Sequence, residues 1–187
     1  MNDIILGKEN LGGKQEPGAR QTRRSAKASG VSEFSAGGVV VRRIDGRVHI
    51  ALLRTEHARG EVWILPKGHV EMSLGETQEQ AAVRESQEEL GLQNIILKRP
   101  LGSTRYHFFT ERGRVTKTVF YYLMESSSGE MTPQVEEGLL EARWMPVREA
   151  LRKITYATDR DIVLRAVASG KKGSRMVTKR LPPQIQK

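Results

Sequence analysis

Residues 77 to 90 have the spacing of a helix that carries several glutamates on one side. Thr77 followed by Gln80 forms a capping box, the sequence stays helix-compatible to Leu90, and Gly91 is placed as a C-terminal stop. At 100° per residue, one side holds Ala82, Val83, Ser86 and Leu90, and another holds Ala81, Glu85, Glu88 and Glu89. Like charges three and four residues apart destabilise an isolated helix unless a positive group lies among them.

Segments rich in β-branched residues precede this helix. Residues 35–44 and 48–54 predict two antiparallel strands joined at Asp45-Gly46, a dipeptide that favours a tight hairpin turn. A third short strand is predicted over 62–65, and glycines and polar residues then indicate a loop over 66–75.

The second half of the chain has the same mixture. Residues 106–110 and 115–124 predict a second hairpin, and 142–145 predict another short strand. Helical spacing follows over 147–154 and 159–168. Strands on both sides of a central helix, with helices closing the chain, indicate a mixed sheet in an α/β layered domain.

Length and composition exclude several classes of protein. The 187 residues suit one globular domain and include no cysteine, which excludes disulfide frameworks, thiolate metal sites and cysteine nucleophiles. No apolar run approaches the roughly 18 residues that span a bilayer, so no membrane partner is expected. Because the chain has no cysteine, a reducing cytoplasm is the expected compartment.

The net charge of +9 lies almost entirely at the ends of the chain. Residues 1–33, predicted to be a flexible leader, carry six basic and four acidic residues. Residues 171–187, predicted to be a basic C-terminal tail, carry six basic and no acidic residues, which leaves +1 for the domain predicted over 34–170. The tail is typical of a solvated end, and nucleic-acid binding through it is the open alternative.

Carboxylate oxygens are the ligands that Mg²⁺ and Mn²⁺ prefer, so a hard divalent cation is one way to relieve repulsion on the glutamate face. A solvated, glutamate-rich helix face is the other. On the helix alone, the solvated face is the favoured interpretation.

The sequence around the helix favours the divalent cation instead. Gly68-His-Val-Glu-Met-Ser-Leu-Gly-Glu76 and Arg84-Glu-Ser-Gln-Glu-Glu-Leu-Gly-Leu92 resemble the Nudix box, G-x5-E-x7-R-E-U-x-E-E-x-G-U with U aliphatic. The match is in register from Glu76 to Leu92, and the looser resemblance covers about residues 34 to 155. Seven residues, not five, separate Gly68 from Glu76, and Ser86 occupies an aliphatic position, where we expect its buried hydroxyl to bond the carbonyl four residues back.

The resemblance implies an α/β/α sandwich with a mixed sheet and a catalytic loop-helix-loop. It also implies hydrolysis of a nucleoside diphosphate linked to another moiety, by water attack at phosphorus with Mg²⁺ or Mn²⁺. By resemblance, Glu85 and Glu89 are metal ligands, Glu88 is a further ligand or base, and the backbone carbonyl of Lys67 is a ligand. Arg84 orients the glutamates.

Further site residues follow from the same resemblance. Glu137, in a late acidic loop, is a candidate base or ligand, although a solvated loop is an equal alternative. Arg54, at the end of the second predicted strand, and the Lys67 side chain are candidates for phosphate binding. Tyr106 is a candidate for stacking on a nucleobase, although aromatic residues of strands usually pack in the core.

Residues 65–71 resemble the group of dinucleoside polyphosphate hydrolases and MutT-like nucleotide-cleansing enzymes. This resemblance implies a small nucleotide substrate, either an oxidised or ordinary nucleoside triphosphate or a dinucleoside polyphosphate. The longer loop and Ser86 keep open a non-catalytic Nudix module that binds a nucleotide or RNA. The sequence predicts no oligomeric state.

Overall fold

The computed structural model describes residues 31–57, 60–111, 113–127 and 129–168. The predicted C-terminal tail and residues 1–30 of the predicted leader lie outside this part of the chain, so the division into leader, domain and tail stays a prediction. The first strand begins at Val31, so residues 31–33, which the sequence assigns to the leader, are part of that strand.

Seven strands and three helices make up the described fold. The strands are β1 (Val31–Ile44), β2 (Arg47–His57), β3 (Gly60–Ile64), β4 (Lys67–His69), β5 (Ile95–Thr110), β6 (Gly113–Ser126) and β7 (Leu139–Pro146). The helices are α1 (Gln78–Leu90), α2 (Val147–Lys153) and α3 (Ala157–Ala168), and short 3₁₀ turns lie at Met72–Leu74 and Val135–Glu137. None of these helices is long and apolar enough to cross a membrane.

The strands form one mixed sheet in the order β3-β2-β1-β6-β5, with β4 paired to β1 and β7 paired to β2. The pairing of β1 with β6 is parallel, and the other pairings are antiparallel. The sheet therefore combines two hairpins, as the sequence predicts, through a parallel contact between their strands.

Alternate side chains of the central strands enter two separate cores, as the two-residue period of a strand requires. Val39, Ile50 and Leu52 pack with residues of α2 and α3 on one face. Val40 and Leu53 pack with residues of α1 on the other face. Helices thus cover both faces, and the predicted α/β/α sandwich is confirmed.

The ends of α1 are those that the sequence predicts. The Thr77 hydroxyl accepts a hydrogen bond from the Gln80 amide, and the Gln80 side chain accepts one from the Thr77 amide. Gly91 ends the helix in the left-handed conformation, with φ of 63°.

Two predictions about secondary structure were wrong. The predicted loop over 66–75 contains β4 and a 3₁₀ turn. β5 begins at Ile95, eleven residues before the predicted strand. Its first part was missed because two bulges, near Lys98 and Leu101, interrupt the pairing with β6 and the alternation of apolar and polar residues.

Candidate active site

The segment Lys67–His69 is held against β1 at a pair of glycines. Gly37 lies opposite Lys67 in the β1–β4 register, and the Gly38 amide donates a 3.0 Å hydrogen bond to the Pro66 carbonyl. A Cβ atom on Gly37 would overlap the Pro66 oxygen. Gly37 therefore allows the close approach that fixes the segment before α1, a role the sequence analysis missed although Gly-Gly within a β-branched run indicates such contact.

Arg84 organises the acidic side chains around this segment. Its Nε donates to Glu76 Oε1 at 2.7 Å, and its Nη1 donates to Glu85 Oε1 at 2.8 Å and to Glu88 Oε2 at 3.0 Å. Its Nη2 donates to the His69 carbonyl at 2.9 Å. The arginine thus binds three carboxylates and the preceding loop at once, which is the orienting arrangement expected for it.

Glu76 belongs to the same hydrogen-bond network. Its carboxylate accepts bonds from Arg84 and, at 2.8 Å, from the Glu71 amide. The Arg84 hydrogen bond holds the pKa of Glu76 below its usual value. A charged Glu76 therefore ties the longer loop to α1.

Glu85 lies directly against the loop backbone. A Cβ atom on Gly68 would overlap the Glu85 carboxylate, so the absence of a side chain there leaves space for this carboxylate. Burial raises the pKa of Glu85, the hydrogen bond from Arg84 opposes that shift, and the nearby charges of Glu88 and Glu137 add to it.

Glu89 is the buried carboxylate of the cluster. It is 9% exposed, and its Oε2 accepts a 2.8 Å hydrogen bond from the Lys67 amide. Burial raises the pKa of Glu89 from 4.5 to about 7; the Lys67 amide opposes this, and the charges of Glu85 and Glu137 reinforce it. The glutamates predicted to share one helix face therefore differ in burial, because Glu89 is buried whereas 46% of the Glu88 side chain is exposed.

Glu137 lies near the cluster on a different segment of the chain. It ends the 3₁₀ turn before β7, and its charge acts on both Glu85 and Glu89. The Thr132 amide donates to the Leu90 carbonyl at 3.0 Å, which joins the segment before this turn to the end of α1. The structure thus brings together the predicted residues Glu85, Glu89 and Glu137.

Lys67 also lines a cavity of about 520 Å³ on the α3 side of the sheet. Its other lining residues are Ile64, Thr104, Tyr106, Val119, Tyr121, Tyr156, Thr158 and Asp159. Tyr106 is 47% exposed, so it lies at the cavity rather than in the core. Burial raises the pKa of Tyr106, and the charges of Glu33 and Asp159 raise it further.

A loop-helix segment with clustered glutamates is what the resemblance implies, and the NUDIX domain model matches residues 33–166. The chain belongs to the Nudix family. It is 41% identical over 147 residues to a protein named MutT4 of Mycobacterium tuberculosis (strain CDC 1551 / Oshkosh), a match that covers 76% of this chain and 58% of that protein.

A second relative is named 8-oxo-(d)GTP phosphatase, from Mycolicibacterium smegmatis (strain ATCC 700084 / mc(2)155). It is 36% identical over 109 residues, which cover 58% of this chain and 31% of that protein. Both matches thus cover less than two thirds of the relative's length. Among solved structures, the C. elegans Ap4A hydrolase binary complex has a TM-score of 0.59 at 22% identity, covering 73% of this chain and 96% of that one, and this likeness shows the fold alone.

The donor atoms of this Nudix site fit a divalent cation, which the family generally uses. No group of three or more His, Cys, Asp or Glu side chains in the described ranges forms a ready-made metal cage. Mg²⁺ commonly takes only one or two protein carboxylates and leaves its other positions to water and phosphate oxygens. Glu85 and Glu89 fit that pattern, because a cation would offset the cost of burying their charges.

Arg54 lies apart from the other predicted substrate-binding residues. Its Nε donates to Glu141 Oε2 at 2.9 Å across β2 and β7, and Glu61 lies 3.9 Å away. It is not among the residues that line the cavity with Lys67 and Tyr106. Its predicted role in phosphate binding stays a prediction, and this ion pair would have to open for it.

Asp159 lines the same cavity, and the sequence analysis did not single it out. It is 2% exposed; its Oδ2 accepts from the Leu65 amide at 3.3 Å and its Oδ1 from the Tyr121 hydroxyl at 3.2 Å. The sequence did contain a signal for its burial. Asp159 is the first residue of a helical i, i+3, i+4, i+7 pattern whose other members are the apolar residues Ile162, Val163 and Ala166. Its two hydrogen bonds join α3 to the end of β3 and to β6.

Ser86 is fully buried, as predicted, but its predicted hydrogen bond is absent. Among the residues that the structure describes, its Oγ has no hydrogen-bond partner, so the predicted bond to the carbonyl four residues back was wrong. An unsatisfied buried hydroxyl costs stability, because it leaves water without regaining a partner.

We therefore expect Ser86→Ala to raise the free energy of unfolding by about 1 kcal/mol. Urea denaturation should show a higher midpoint with an unchanged slope. Ser103→Ala, at an exposed position of β5, is the matched control and should leave the midpoint unchanged. A lower midpoint for Ser86→Ala would show that its hydroxyl is satisfied in solution.

Proposed function

We propose that this chain is a Mg²⁺- or Mn²⁺-dependent pyrophosphohydrolase that cleaves a nucleoside diphosphate linked to another moiety. One observation supports this most directly: Lys67 belongs to both halves of the site. Its amide donates to Glu89, and the residue also lines the cavity. A nucleotide with its base in the cavity would therefore have its phosphates beside the carboxylates.

In this proposal, some residues of the site bind the cation and others bind the phosphates. Glu85, Glu89 and the Lys67 carbonyl hold the cation, which when bound neutralises phosphate charge and acidifies an attacking water. The Lys67 ammonium binds phosphate oxygens. These contacts position the anhydride and stabilise charge, which is most of what phosphoryl transfer requires.

Glu137 is the base that this geometry favours. It is exposed, and it lies near enough to Glu85 and Glu89 to influence both carboxylates. Glu88, the other candidate, already binds Arg84. We therefore assign proton removal from water to Glu137 and a supporting role to Glu88.

The cavity favours a purine nucleotide. Tyr106 and Tyr156, both 47% exposed, offer ring surfaces for stacking, and Asp159 offers a buried acceptor for base N–H groups. Guanine presents two adjacent N–H donors, and one relative is named 8-oxo-(d)GTP phosphatase. We propose an oxidised guanosine triphosphate as the first substrate and a dinucleoside polyphosphate as the second.

A hydrolysis screen tests this proposal. The full chain is incubated with 8-oxo-dGTP, dGTP, a diadenosine polyphosphate and ADP-ribose, with Mg²⁺, Mn²⁺ or EDTA, and products are resolved by mass. We expect release of a nucleoside monophosphate from 8-oxo-dGTP at least tenfold faster than from dGTP, and no release with EDTA.

Two outcomes of this screen would contradict the proposal. Cleavage that is unaffected by EDTA would show that the reaction does not require a metal ion. Nucleotide binding without cleavage of any substrate would instead support the non-catalytic Nudix module, and salt-sensitive RNA binding would strengthen that alternative.

A further inference from the structure

Leu65 and Pro66 form the short connection between β3 and β4. Leu65 is fully buried, so its backbone amide needs a hydrogen-bond partner inside the protein. That partner is Asp159 Oδ2, which lies 3.3 Å away in the first turn of α3, 94 residues later in the chain. A buried carboxylate of α3 therefore holds the backbone immediately before β4.

The backbone that Asp159 holds leads directly to Lys67. The Leu65 carbonyl accepts a 3.3 Å hydrogen bond from the Lys67 ammonium, and the Lys67 amide donates to Glu89 at 2.8 Å. Leu65 is thus bound at its amide by Asp159 and at its carbonyl by the ammonium. Any displacement of Leu65 would move both the ammonium and the backbone of Lys67 relative to Glu89.

The second oxygen of Asp159 is bound as well. Its Oδ1 accepts a 3.2 Å hydrogen bond from the hydroxyl of Tyr121, a residue of β6 that is buried, as Asp159 itself is. One oxygen is therefore tied to the sheet and the other to the Leu65 amide. This gives the carboxylate a fixed orientation, which a support for the connection before β4 requires.

We propose that Asp159 is a positioning residue of the reaction, which acts through Leu65 to fix the ammonium and the backbone carbonyl of Lys67. This role rests on the proposed function, in which Lys67 binds both the cation and the phosphates. It differs from a contact between Asp159 and a nucleobase, because it acts on β4 whether or not a nucleotide is bound.

Asp159→Ala separates these two roles. It leaves the buried Leu65 amide without its acceptor, so the connection before β4 should shift. We expect kcat, for the nucleotide of the hydrolysis screen that the wild type cleaves fastest, to fall at least about tenfold. The dissociation constant for Mn²⁺, measured without nucleotide, should rise by about tenfold. Loss of a base contact alone would instead raise KM and leave Mn²⁺ binding unchanged.

Three further variants make the comparison specific. In Asp159→Asn the carboxamide oxygen can still accept from the Leu65 amide, and its NH₂ group can donate to the Tyr121 hydroxyl, so both quantities should return to within about threefold of the wild type. Asp161→Ala, at an exposed position of the same helix, is the matched control and should equal the wild type. Asp159→Glu keeps the charge but displaces the carboxylate by one methylene, so it should resemble Asp159→Ala and replaces it if that variant does not fold.

The outcomes separate this role from the proposed function. A folded Asp159→Ala or Asp159→Glu protein with wild-type kcat and wild-type Mn²⁺ affinity, or with a change in KM alone, would overturn the positioning role and leave the proposed function intact. An Asp159→Asn protein as impaired as Asp159→Ala would also overturn it, because the charge and not the hydrogen bond would then matter. A wild type that neither binds Mn²⁺ nor cleaves any nucleotide of the screen would contradict the proposed function, and the positioning role with it.

Discussion

Replacing Glu89 with glutamine should lower turnover by about a thousandfold or more and, without added metal, make the protein more stable. Both effects arise from one buried charge. Glu89 is 9% exposed and is held by the Lys67 amide, which a glutamine oxygen can still contact. The substitution therefore removes the charge with little change in packing.

The stability effect has a defined dependence on pH. Burial raises the pKa of Glu89 from 4.5 to about 7, so the folded state holds this proton more tightly than the unfolded state. Below pH 4.5 both states are protonated and Glu89 costs nothing. As pH rises to 7 the unfolded state ionises first and the wild type loses up to about 3 kcal/mol.

The free energies of unfolding of wild type and Glu89→Gln, measured in EDTA at pH 4 and pH 8, check this expectation. The two proteins should agree at pH 4, and the variant should be more stable by about 2 to 3 kcal/mol at pH 8. Glu88→Gln is the control, because that side chain is 46% exposed and should show little change. Wild-type turnover in Glu89→Gln, or equal stabilities at pH 8, would contradict the assignment.

The part of this site that lies on one helix was predictable from sequence. The capping box, the left-handed glycine and the glutamate spacing are all local, so Thr77, Gly91 and the register of Glu85 and Glu89 follow from the order of residues. The spacing did not show that Glu89 would be buried while Glu88 stays exposed, because that depends on how β4 lies over the helix.

The parts that were missed depend on contacts between distant segments. Lys-Gly-His has no strand pattern of its own, and β4 forms because Gly37 admits it against β1. Asp159 lines the cavity only because α3 closes over the sheet there. Arg54 was named from its position at a strand end, whereas its partner Glu141 is 87 residues away.

Gly68→Ala should reduce turnover by about a hundredfold while the protein remains folded. The added Cβ would overlap the carboxylate of Glu85, which is the far end of a flexible side chain and can move away. A shift of roughly 1 Å in a catalytic group is enough for a loss of this size. Steady-state kinetics should show the loss in kcat, and the free energy of unfolding should change by about 1 kcal/mol or less.

Gly37→Ala is the matched comparison, because the same added atom meets backbone instead of a side chain. Its Cβ would overlap the Pro66 carbonyl and crowd the Lys67 Cα, neither of which can move without separating β4 from β1. We expect this variant to lose about 3 kcal/mol of stability. If Gly68→Ala instead lost as much stability as Gly37→Ala, or kept full turnover, the position of Glu85 would not depend on the space beside Gly68. The comparison of the two glycines therefore separates the geometry of the carboxylates from the integrity of the sheet that carries them.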